Sequence, residues 1–93
     1  MSSHDRHSLF IWYVGSPDLL TDLREWLIHL RELTGYHGTL YLRETKGETT
    51  YMEVFHAVGL DAQERIEQLA ARRPCFEHVH RHCEAFTPDK EIP

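Results

Sequence analysis

The residues of this chain best equipped for chemistry are Glu53, His82, Glu84 and Arg43, together with the alternating histidines His78, His80 and His82. Glu53 lies in Glu48 to His56, a stretch that reads as a strand with two unlike faces. Met52 and Val54 fall on one side of it, and Tyr51, Glu53 and Phe55 on the other. A carboxylate between two rings on one strand face implies that something covers that face. Three chemistries compete for the set. In the first, Arg43, Tyr51, Glu53, His82 and Glu84 line a pocket for a small molecule, where a histidine and a partly desolvated carboxylate can exchange protons near neutrality. In the second, His78, His80 and His82 share a strand face and converge on a metal ion, completed by Glu84 or Glu53. In the third, Arg43 and His82 pair with Glu53 and Glu84 to satisfy charges at a subunit seam. The third ranks first, because that is the usual fate of charges at an interface. Whether the chain is an enzyme is left open. No nucleophile elbow, phosphate loop, haem-attachment motif or nucleotide fingerprint occurs, and no cofactor is expected.

The elements that must hold these residues follow from the hydrophobic pattern. Met1 to Ser8 is polar, contains His4 and His7, and reads as a flexible lead-in. Leu9 to Val14 is an uncharged run of β-formers, the pattern of a central strand covered on both faces. Ser16-Pro17-Asp18 starts a helix by hydroxyl cap, preset φ and dipole complement. Leu19, Leu20, Leu23, Trp26, Leu27, Leu30 and Leu33 give that helix its apolar stripe, and Gly35 stops it.

Gly38 to Glu44 alternates, with Leu40 and Leu42 on one side and Thr39, Tyr41 and Arg43 on the other. A three-residue turn at Thr45 to Gly47 joins it to the Glu53 strand, placing Tyr41 opposite Tyr51 and setting Met52 and Val54 beside Leu40 and Leu42 under the helices. Asp61 and Glu64 form a capping box for a second helix, which Pro74 ends. A last strand runs from about Glu77 to Phe86, with Val79, Cys83 and Ala85 inward and His78, His80, His82, Glu84 and Phe86 outward. Thr87 to Pro93 reads as a tail, leaving residues 9–86 as one domain. Strand, helix, strand, strand, helix, strand is an α+β, ferredoxin-like βαββαβ order, a four-stranded antiparallel sheet with two helices on one face.

Ninety-three residues bury a small core, so association with a second copy is expected. Leaving Tyr41, Tyr51 and Phe55 in water would expose a large apolar patch, and a homodimer would cover it. Ten basic against fifteen acidic side chains, a formal charge of −5, oppose nucleic-acid binding, including use of the sheet as an RNA platform. The longest apolar run is too short to span a membrane, and Cys75 and Cys83 match no metal or redox motif. A soluble protein of the reducing cytoplasm is expected.

Tyr51-Met52-Glu53-Val54-Phe55, followed by Arg81-His82-Cys83-Glu84-Ala85-Phe86 and preceded by Arg43, resembles a small bacterial family of unknown function. That family pairs an aromatic-Met-Glu-Val-aromatic strand with a closing Arg-His-x-Glu-x-Phe strand. The likeness runs from Leu9 to Phe86, and departs from the pattern in Tyr51, where Trp is usual, and in the extra histidines His78 and His80. More distantly the chain is similar to dimeric α/β-barrel proteins, in which two such sheets face each other across a cavity. The resemblance implies a fold and a dimer, and it implies no reaction.

Overall fold

The computed structural model of the chain describes residues 6–89, so His4 and most of the expected lead-in, and the last part of the expected tail, lie outside it. In chain order the elements are β1 (His7–Gly15), α1 (Leu20–Thr34), β2 (Gly38–Thr45), β3 (Glu48–Val58), α2 (Ala62–Ala70) and β4 (His82–Phe86). The sheet order is β2-β3-β1-β4, and every neighbouring pair is antiparallel. Both helices cover one side. Leu23, Trp26 and Leu30 of α1 and Ala62, Ile66 and Ala70 of α2 share one core with Leu9, Ile11 and Tyr13 of β1 and Tyr51 and Phe55 of β3.

The local signals for α1 hold. Ser16 Oγ accepts the Asp18 N–H at the head of a 3₁₀ turn over Pro17–Leu19, and α1 continues from it. At the other end Gly35 takes the left-handed conformation, with φ of 83°, and its N–H closes on the Arg31 carbonyl. The capping box does not form. Asp61 precedes α2, but its backbone is helical rather than extended and its side chain makes no capping bond. Pro74 stands beyond the end of α2 and opens a 3₁₀ turn, Pro74–Phe76, whose Phe76 enters the core.

The hairpin register corrects the expected faces. Thr45 pairs with Glu48, so the turn holds two residues, Lys46 and Gly47, both left-handed with φ of 54° and 79°. Positive φ at both central positions matches the right-handed twist of the flanking strands, which is why two-residue hairpins favour it. Tyr41 therefore lies opposite Met52, and Leu42 opposite Tyr51. Tyr51, Glu53 and Phe55 point at the helices, while Met52 and Val54 point away, the reverse of the expectation. Placing two large rings rather than Met and Val under the helices removes more apolar surface from water, at roughly 25 cal/mol per Å², and Val54 is still only 4% exposed on the other face. The carboxylate that comes inside with them has to be satisfied there.

Two further departures bear on the site. β4 starts at His82, five residues later than expected, because Glu77 to Arg81 leaves the 3₁₀ turn as irregular chain. Near the start of β1, His56 and Ala57 bulge against Ser8, since His7 pairs with Val58 and Leu9 with Phe55. Ala57 adopts φ of 55° there, and the extra residue turns Val58 back into the core.

Candidate functional site

The register divides the expected polar set between two sides of the sheet. Glu53 and Tyr51 are on the helix side; Arg43, His82 and Glu84 are on the open side. They do not meet in one pocket.

On the helix side Glu53 is 0% exposed. It sits on β3, one of the two middle strands, opposite Ile11 and Leu40. Its partner is Arg81, the residue just before β4, rather than His82 or Arg43. Arg81 Nη1 donates to Glu53 Oε2 at 2.8 Å and Nη2 to Oε1 at 3.0 Å, a bidentate pair. The same guanidinium donates to Glu67 of α2 from Nε and Nη2, at 3.1 and 2.9 Å. The Tyr13 hydroxyl and Trp26 Nε1 also donate to Glu53 Oε2. The guanidinium carbon lies 4.4 Å from the Phe76 ring centroid and 5.1 Å from that of Tyr13.

This cluster joins both middle strands, both helices and the entry to β4 through one cation. Burial, reinforced by the charge and hydrogen bond of Glu53, raises the Tyr13 phenol far above its ordinary range. Burial alone would lower the Arg81 guanidinium, but hydrogen bonds and charge from Glu53, then Glu67, outweigh it and hold the cation firmly protonated. Both Glu53 oxygens are engaged, and among the described residues no buried side-chain nitrogen or oxygen lacks a partner. A carboxylate so occupied has no place for an incoming substrate, and Glu53 does not line the hollow on the open side of the sheet or two smaller hollows beside the helices.

The sequence alone assigns Tyr13, Trp26, Glu67 and Arg81 no part in a site. One signal does exist for Arg81: the alternation that sends Cys83 and Ala85 toward the helices sends Arg81 there as well.

The open side is apolar and concave. Phe10 and Trp12 of β1, Met52 of β3, Tyr41 of β2 and Phe86 of β4 line a hollow of about 790 Å³, with Arg43 on one edge strand and Glu84 on the other. Tyr41 is 57% exposed, Phe86 53% and Val14 52%. Trp12 and His82 stack with centroids 5.4 Å apart, and Phe10 meets Phe86 edge-on at 5.3 Å. The side chains of Arg43 and Glu84 make no hydrogen bond or ion pair among the described residues.

The three histidines are not assembled as a metal site. His80 and His82 lie 4.5 Å apart by ring centroid, but His78 and His80 precede β4, so strand alternation does not align all three. Among the described residues no group of three or more His, Cys, Asp or Glu side chains is placed to hold a metal ion. Both cysteines are free, and burial pushes the Cys83 thiol up to about 11. No helix among the described residues is long and apolar enough to cross a membrane.

No family model and no curated protein matches this chain. Among solved structures it is similar to the de novo designed protein Foldit4, with a TM-score of 0.70 over 90% of this chain and 99% of that one; at 12% identity this likeness is one of fold alone.

Proposed function

We propose that this chain is a non-catalytic interaction module that pairs with a second copy through its open sheet face, in the manner of a dimeric α/β barrel. The observation that carries this reading is the open face itself. Phe10, Trp12, Val14, Tyr41, Met52 and Phe86 form a continuous apolar surface across all four strands, where a monomeric α+β domain ordinarily presents polar side chains. Face-to-face pairing about a two-fold axis covers both copies with one self-complementary contact.

The buried cluster supports a structural role for the paired motifs. Glu53 from the first and Arg81 from the second are each other's partners, so the two motifs go together because they close one ion pair. On that basis we retain the resemblance to the small bacterial family of unknown function as a proposal. A reducing, cytoplasmic setting fits the two free cysteines.

Sedimentation equilibrium at tens of micromolar, a range typical of modest dimer affinities, tests the reading. The wild-type chain is expected at twice the monomer mass, and Tyr41→Glu with Phe86→Glu at the monomer mass with an unchanged far-ultraviolet circular dichroism spectrum. A wild-type monomer, or a double variant that dimerises as well as wild type, overturns it.

A further inference from the structure

We propose that the paired hollows hold an apolar carboxylate, an acyl chain or aromatic acid, with Arg43 binding its carboxylate; this rests on the face-to-face pairing above. Two flat sheets interdigitate into a dry layer about 10 Å thick. These faces are concave, so rims that meet enclose the hollows of both copies, each of about 790 Å³. A void of that size is far outside the packing of protein interiors, and its apolar lining offers water few partners. An apolar guest of the size that ordinary ligand pockets take fills it.

The guest's charge follows from Arg43. Thr50 lies opposite Arg43 and Tyr41 is two residues away on the same face, and neither balances a cation; Glu48, the acid diagonal to Arg43 on β3 beside the turn, makes no ion pair with it among the described residues. Pairing does not supply the missing anion. A two-fold axis along the strands lays β2 over β4 of the second copy, but Arg43 is level with Val14 and Glu84 with Phe10. Four residues of strand separate those levels, roughly 13 Å, too far for a direct ion pair. A two-fold axis across the strands lays β2 over its own copy, whose open face offers Thr39 and Tyr41 and no acid. Glu84, by contrast, has the His82 imidazole two residues away on its own face as an available donor. The unbalanced group on the hollow's rim is therefore a cation that can grip a carboxylate in bidentate fashion.

Decanoate and 1-decanol, both below their micelle or solubility limits, are titrated into the full chain and followed by the fluorescence of Trp12, with Trp12→Phe as the control for Trp26. Sedimentation is run on the same samples. Saturable binding of decanoate is expected at roughly tenfold or more higher affinity than decanol, the size of a charge-assisted hydrogen-bond contribution. Arg43→Gln should erase that difference while leaving the dimer intact. A dimer that binds neither probe overturns this proposal and leaves the pairing standing; a monomer that binds neither overturns both. Equal affinity for acid and alcohol, or an acid preference that survives Arg43→Gln, overturns the assignment of Arg43.

Discussion

Replacing Glu53 by Gln keeps the side chain's shape and removes its charge at the most tightly enclosed polar group of the fold. The new amide would retain an oxygen for the Tyr13 and Trp26 donors. Its nitrogen, however, would replace Oε1 and turn N–H groups toward Arg81 Nη2, which now donates to that oxygen at 3.0 Å, and the Nη1 bond to the remaining oxygen would lose its charge. Breaking a buried ion pair by removing one member costs about 3–5 kcal/mol. Arg81 keeps Glu67, whose side chain is 32% exposed, so the lower end, about 3 kcal/mol, is expected. A domain of this length holds roughly 5–14 kcal/mol of stability in total, so the variant should fold but be visibly weakened. With a urea dependence of about 1–3 kcal/mol per molar, the denaturation midpoint should fall by about 1–3 M. Arg81→Met should cost at least as much, because it leaves a buried carboxylate without a cation. The double variant Glu53→Gln with Arg81→Met removes both charges and keeps an acceptor for Tyr13 and Trp26. It should lose less than the sum of the singles. A Glu53→Gln midpoint that matches wild type, or strictly additive losses in the double variant, would refute the cluster as the fold's internal staple.

The Lys46→Asn variant should stabilise the chain by about 0.5–1 kcal/mol, because Lys46 occupies a left-handed position that Asn tolerates better; thermal unfolding measures it, and no gain would argue against the two-residue turn. Ala57→Gly, at the bulge, should act in the same direction for the same reason. Stability should fall at alkaline pH. Tyr13, Tyr51, Cys75 and Cys83 all have their pKa values raised in the folded chain, so above the ordinary 9.0 of Cys and 10.0 of Tyr the unfolded chain releases protons that the folded chain keeps. The contribution is complete below those unfolded-state values and is lost as pH rises from them toward and through the raised folded-state ones. Urea midpoints from about pH 8 upward, just below the free thiol range, should therefore decline, with phenolate absorbance of Tyr13 emerging together with unfolding; a Tyr13 phenolate formed in a still-folded chain would contradict its enclosure. In native protein at about pH 9, near the free thiol range, Cys83 should alkylate more slowly than in urea.

Much of the fold is written in local chemistry. The uncharged run of Leu9 to Val14 identifies a central strand, Ser16-Pro17 the entry to α1, Gly35 its exit, and the spacing of Leu23, Trp26 and Leu30 the buried stripe. These signals act over a few residues and depend on backbone φ, orphan N–H groups and side-chain period, so the sequence suffices for them. The alternation in β3 is equally legible as two sets, Tyr51-Glu53-Phe55 and Met52-Val54, yet it does not say which set faces inward, since both contain apolar residues. That choice belongs to the tertiary structure. A two-residue turn fixes the register, two rings outweigh Met and Val in apolar surface buried, and Arg81, 28 residues further along the chain, makes the inward Glu53 tolerable. The division of Glu53 from His82 and Glu84 follows from the same step. A one-residue difference in turn length exchanges every side chain between the two faces of a strand, and only the packed molecule determines which exchange leaves no buried charge alone.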